Sequence, residues 1–172
     1  PVSIDRDVSR EDLVFLAAKD DDPFARYEAM QELMTGHLVA AVSGEMDDGE
    51  REAARTDIAQ AMRAVIEDDQ LDDLMRGELM VMPGQTYIAE QLLVADPGRI
   101  HAEREALKAD LGTRLAAQFD ALYKRTAKVP FSLDAQGKGA RKVKTLVLAY
   151  AAASDPAKAA ELAAHQYDGA DN

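Results

Sequence analysis

Residues 96–126 read DPGRIHAEREALKADLGTRLAAQFDALYKRT. Apolar side chains recur in this stretch at Ile100, Leu107, Leu111, Leu115, Phe119 and Leu122, in steps of three, four or seven residues. Those steps keep side chains on one face of a 3.6-residue helix and do not match the alternation of a strand. Asp96 and Pro97 supply the start: an Asp carboxylate accepts orphan backbone N–H groups, and Pro at the next position has φ preset and no N–H to leave unpaired. The spacing predicts one long helix over 97–126.

The same Asp-Pro start occurs twice more, at Asp22-Pro23 and Asp155-Pro156. Ser9 with Asp12 is a weaker capping pair, and Ser132 is a further candidate N-cap. Working outward from these starts gives about eight helices, near 10–19, 23–43, 50–67, 70–80, 85–93, 97–126, 134–153 and 156–168. The second places Phe24, Tyr27, Met30, Met34, Leu38 and Ala41 along one face, and the third places Ile58, Met62 and Val65 at helical spacing. Short polar connections favour antiparallel neighbours. The expected fold is all-α, with irregular helix pairs forming an α-solenoid or superhelical array of the HEAT or TPR kind.

Composition agrees. The 172 residues are 47% hydrophobic but only 5% aromatic, with no Trp and no Cys, a mix that suits helices better than strands. A chain of this length fits one domain with a real core. The absence of Cys excludes disulfides and thiolate ligands and fits a cytoplasmic location. The net charge of −12 argues against nucleic acid and anionic membrane as partners. No apolar run approaches the roughly 20 residues of a membrane span. The charge is uneven, however. Residues 124–172 hold eight Lys and Arg against five Asp and Glu, with Lys124, Arg125, Lys128, Lys138, Arg141, Lys142 and Lys144 forming a basic cluster. Without interleaved aromatics this reads as a solvated face, or as a contact with an acidic neighbouring domain.

A search for chemistry comes up empty. His37, His101 and His165 are too far apart in sequence to share a helix face, and no paired-His zinc spacing occurs. Glu161 and His165 lack the spacing and the second pair of a di-iron site. Asp47-Asp48-Gly49-Glu50 would put Gly44, Met46 and Arg55 at ligand positions of a calcium loop, so it is a turn before a helix. Gly137-Lys138-Gly139 is too short to cradle phosphate, and no Ser sits in a nucleophile elbow. Most of the methionines fall at helical spacing and read as core. No catalytic, metal-binding or cofactor-binding residue is expected in this chain.

Five segments, in order, resemble one family, the C-terminal helical domain of bacterial aminopeptidase N. Leu13-Val14-Phe15-Leu16-Ala17 with Asp20 to Gln31 is similar to its D-x-D-P-F-N-R-W-E-A-x-Q start. Met82 to Gln91 is similar to its L-P-S-E-x-Y-L-A-E-Q segment, and Asp96-Pro97 through Glu105 to its D-P-x-x-I-H-x-A-R-E helix start. Gly139–Tyr150 and the ending Gln166–Asn172 also fit. Ala25, Tyr27, Gly84 and Thr145 depart from the family's usual Asn, Trp, Ser and Asn. The resemblance implies a zinc metallopeptidase parent that removes N-terminal amino acids from peptides, its zinc held by a separate catalytic domain whose H-E-x-x-H and G-x-M-E-N motifs do not occur here. It implies that residues 1–8 are a junction from a preceding β-sandwich domain, and that 9–172 is a helical domain truncated at its C-terminus. It also implies that the domain encloses the active-site chamber and limits access to it. The expected partners are the other domains of the same polypeptide and the parent's peptide substrates. Arg26, Tyr27, Glu28 and Gln31, with Tyr87, Glu90 and Gln91, are the expected interface residues. The competing expectation is a free-standing α-solenoid module that binds a partner protein.

Overall fold

The structure, a computed structural model, describes residues 8–170. The junction expected at 1–8 therefore lies almost wholly outside the described residues, as do Asp171 and Asn172 at the end of the last resembling segment. Nine helices and no strands occur among the described residues: α1 (Arg10–Lys19), α2 (Pro23–Ser43), α3 (Asp48–Glu67), α4 (Asp73–Leu79), α5 (Gln85–Glu90), α6 (Pro97–Arg114), α7 (Ala116–Thr126), α8 (Ala135–Ser154) and α9 (Pro156–Asp168). The chain is an all-helical, solenoid-like array.

The helix starts are set locally. Asp22, Asp96 and Asp155 each accept a backbone N–H of the first turn, from Phe24, Arg99 and Lys158. Ser9 does the same for Asp12. Asp47 and Glu50 form a reciprocal capping box, which starts α3 two residues before the expected position. Asp134, not Ser132, caps α8: it accepts from the Gly137 N–H at 2.8 Å, while Ser132 Oγ donates to Asp134 Oδ1 at 2.7 Å. Gly44 ends α2 at φ 76°, the left-handed conformation that a side chain would strain.

The expected long helix over 97–126 is two helices. Leu115 leaves helical dihedrals at φ −109° and ψ 17°. Its N–H still reaches the Leu111 carbonyl at 3.0 Å and its carbonyl still accepts from Phe119 at 2.9 Å, so the axis is bent rather than ended. Two features just before the bend account for it. Thr113 Oγ1 donates back to the Ala109 carbonyl at 2.9 Å, a contact that tends to bend helices. Gly112 also lies against α8 so closely that a Cβ there would stand 2.6 Å from the Tyr150 carbonyl oxygen. The apolar stripe survives the bend, with all six of its residues buried.

One core runs through the array. Met30, Met34 and Leu38 of α2, Ile58, Met62 and Val65 of α3, and the α6–α7 stripe belong to it. Phe24, expected on the same face as Met30, is instead 67% exposed. α1, α2 and α3 pack on one another, and α2 reaches on to α4, α5 and α6. Short α4 does not touch α5. It packs instead on α8, which also meets α6, α7 and α9. Tyr150 fastens that junction: its ring stacks on Phe119 with centroids 4.9 Å apart, and its hydroxyl donates to the Met80 carbonyl at 2.7 Å. Burial pushes the Tyr150 hydroxyl well above the usual phenol range, so it remains a donor.

Candidate interdomain interface

The residues expected at an interface fall into two places: the first half of α2, and α5 with the connection after it. At α2, Asp22 N–H is held by Asp20 Oδ1 at 2.8 Å, and Asp22 in turn caps Phe24. That fixes the entry angle of the helix and drives Arg26 inward. Its Nε donates to the Ala17 carbonyl at 3.1 Å, its Nη2 to the Ala18 carbonyl at 3.2 Å, and its Nη1 to Asp68 Oδ2 at 2.9 Å. The guanidinium thus caps the end of α1 and ties it to the residue that ends α3. The Arg26 hydrogen bond holds the Asp68 carboxyl below the usual carboxylate range.

Gln31, half-buried, donates to the Val81 carbonyl at 2.8 Å and so latches α2 to the chain before α5. Tyr27 is half-buried against the core, and Glu28 is exposed. On α5, Ile88 is fully buried and anchors the short helix. Arg104 Nε donates to the Pro83 carbonyl at 2.7 Å and pins its approach. Tyr87 is then left half out, with Glu90 and Gln91 exposed. The residues that follow, Leu93 and Val94, stand fully in solvent. Sequence reasoning passed over this pair because an apolar dipeptide at the end of a helical pattern looks like core.

Of the seven expected residues, Arg26 and Gln31 therefore spend their donors inside the domain, Tyr27 is half-buried, and Glu28, Tyr87, Glu90 and Gln91 present their polar groups outward. α2 and α5 pack against each other, which brings the two elements together.

The three histidines lie on α2, α6 and α9. His101 Nδ1 is 3.3 Å from Gln85 Nε2 at the surface, and His165 is exposed. Among the described residues, no three His, Asp or Glu side chains are placed to hold a metal ion, and no helix is long and apolar enough to cross a membrane. His37, on α2, is buried, and neither ring nitrogen has a partner among the described residues. Burial first, then Arg55 and Arg51, push its pKa down from 6.5 to about 4, against the pull of Asp110.

A base with a depressed folded pKa favours the unfolded chain once the pH drops below the ordinary value. The stability present above pH 6.5 is therefore lost as the pH falls toward 4, by about 2 kcal/mol after allowance for solvent screening. His37→Leu should be near-neutral at pH 7 and should lose about 2 kcal/mol less than the parent between pH 7 and 4.5 in urea unfolding. Parallel profiles for the two proteins would show that His37 stays uncoupled from folding.

Residues 10–172 match the family described as "Domain of unknown function (DUF3458_C) ARM repeats". The chain is similar to aminopeptidase N of Escherichia coli, 26% identical over 172 residues, covering 100% of this chain and 20% of that protein. It is 28% identical to aminopeptidase N of Caulobacter vibrioides over 161 residues, covering 91% of this chain and 18% of that protein. Among solved structures it shares its fold with the crystal structure of Legionella pneumophila aminopeptidase A in complex with aspartic acid. That likeness has a TM-score of 0.79 at 20% identity and covers 95% of this chain and 20% of the other. The chain spans about a fifth of the length of the relatives it matches.

Proposed function

We propose a function from one premise: the chain belongs to the DUF3458_C family of ARM repeats. On that footing it is a non-catalytic helical domain of a larger aminopeptidase N, a zinc-dependent enzyme that removes N-terminal amino acids from peptides. The similarity to aminopeptidase N along all of this chain, and along only a fifth of that relative, is the observation that carries the reading. The described residues do not fit zinc: the three histidines sit on separate helices, and no three His, Asp or Glu side chains among the described residues are placed to hold a metal ion. The metal and its chemistry belong elsewhere in the parent, and no step of the reaction runs through this domain.

Its contribution is shape. A rigid helical array can wall one side of a chamber, admitting short peptides and excluding folded proteins. Tyr27, Glu28, Tyr87, Glu90 and Gln91, joined by Leu93 and Val94, form the surface that meets the other domains of the polypeptide. Arg26 and Gln31 hold that surface in register from within. The other domains and the parent's peptide substrates are the partners, and the cytoplasm is the proposed location.

Two measurements test this. The 172-residue chain alone should contain no stoichiometric zinc and should not turn over an aminoacyl anilide; zinc with turnover would overturn the reading. In the parent enzyme, Tyr87→Ala combined with Leu93→Ser should lower thermal stability and relax discrimination between short and long peptides while leaving the isolated chain's stability unchanged. Parent enzyme indifferent to both changes would instead favour a free-standing interaction module.

A further inference from the structure

The basic cluster of residues 124–144 is not one surface. Lys124 pairs with Asp120 at 2.7 Å, Arg125 with Asp73 at 2.6 Å, and Lys142 with Glu78. Lys128 and Lys138 are exposed. Arg141 and Lys144 remain, both half-buried and in no ion pair among the described residues. They wall a cavity of about 530 Å³ between the start of α8 and the end of α9. None of its lining residues is acidic, in a chain with 32 Asp and Glu.

The rest of the wall is built for an oxyanion on an organic stem. Arg141 is fixed from behind: Nη1 donates to the Ser132 carbonyl at 2.7 Å, and its guanidinium lies 4.8 Å from the Phe131 ring centroid. Asp134, the nearest acid along the chain, is committed to the Gly137 N–H and the Ser132 hydroxyl. Across the cavity, Gln166 offers an Nε2 that is buried and has no hydrogen-bond partner among the described residues. A buried amide donor without a partner, on the same cavity wall as two cations in no ion pair among the described residues, favours an acceptor there. Phe131, itself 57% exposed, adds an apolar shelf at the rim.

We propose that this cavity is a docking site for a carboxylate side chain of an acidic polypeptide segment, held by Lys144, Arg141 and Gln166, with a neighbouring apolar residue on Phe131. Charge complementarity selects the occupant: a carboxylate takes two donors from Arg141 or one each from Lys144 and Gln166. Nucleic acid fits less well. The site is a single concavity rather than a stripe, and it offers one aromatic rather than a run of stacking platforms.

The test uses the labelled 172-residue chain and a capped pentapeptide, acetyl-Gly-Asp-Leu-Asp-Gly-amide, followed by NMR. The expected result is saturable shifts at Arg141, Lys144 and the Gln166 side-chain amide. Lys144→Gln should weaken binding about tenfold, Lys144→Arg should keep it within about threefold, and the Asn analogue of the peptide should bind at least tenfold more weakly. Equal binding of the acidic and neutral peptides would overturn the proposal, as would shifts confined to other surfaces or no binding at about 10 mM. So would displacement of the peptide by inorganic phosphate or a short oligonucleotide at lower concentration, which would mark an unselective anion patch. The outcome is independent of the parent's activity, so it stands or falls apart from the proposed function.

Discussion

Arg76→Met destabilises the domain by about 3–5 kcal/mol, the largest loss expected from a single polar side chain here. Arg76 is 3% exposed and makes five contacts from one guanidinium. Nη1 donates to the carbonyls of Val65 and Ile66, Nη2 to those of Asp68 at 2.9 Å and Leu71 at 2.6 Å, and Nε to Asp73 Oδ1 at 3.0 Å. Val65 and Ile66 lie in the last turn of α3, whose carbonyls have no partner within the helix. A cation at that end also meets the negative pole of the helix.

Methionine keeps the volume and removes every donor, leaving buried carbonyls unpaired. It also leaves Asp73 to Arg125 alone. Burial pushes the Asp73 carboxyl up, but the hydrogen bonds from Arg125 and Arg76 outweigh it and hold it below the usual range. Arg76→Lys should recover little, because one ammonium cannot reach carbonyls on both sides of the fork. In urea unfolding both variants should lose at least 3 kcal/mol, and melting should drop by roughly 10 °C for a domain this size. A loss below 1 kcal/mol for either would show that water replaces the guanidinium at little cost.

What could be read beforehand followed the range of the interactions responsible. Helix starts were legible because Asp22, Asp96 and Asp155 act on backbone one to three residues away. The α6–α7 stripe was legible because its period is intrinsic to the helix. The bend at Leu115 was not, since it depends on Gly112 meeting Tyr150 nearly forty residues on. Arg26 shows the limit at the candidate interface. A charged residue in a helix's first turns looks like surface, and only the position of α1's last turn above it makes it a buried clamp. Tyr87, Glu90 and Gln91 stand exposed, yet Leu93 and Val94, the most exposed apolar pair, carried no signal distinct from core. The basic cluster was visible as a charge anomaly. Which of its members were neutralised depended on Asp73, Glu78 and Asp120, two of them on α4, a helix far away in sequence.

The close packing of α4 on α8 makes a second large effect. A Cβ on Gly139 would lie 2.6 Å from the Leu74 nitrogen and 2.9 Å from the Asp73 carbonyl carbon, both backbone atoms. Backbone cannot swing aside as a side chain can, so α8 must shift off α4 or α4 must unwind. Alanine in a helix is otherwise favoured over glycine by about 1 kcal/mol, and the clash must overcome that gain. Gly139→Ala should still cost about 2–3 kcal/mol net, with weakened protection from hydrogen exchange concentrated in α4. Two companions set the sign. At Gly77 the obstruction is the Lys142 stem at 2.8 Å, which can move, so Gly77→Ala should fall within about 1 kcal/mol of the parent. At Gly36, inside α2, nothing lies within 4 Å, and Gly36→Ala should stabilise by about 0.5–1 kcal/mol. The order Gly36, Gly77, Gly139 in chemical denaturation is thus fixed by what each methyl meets. Equal effects at all three would mean that α4 and α8 are not held at the distance the structure gives them.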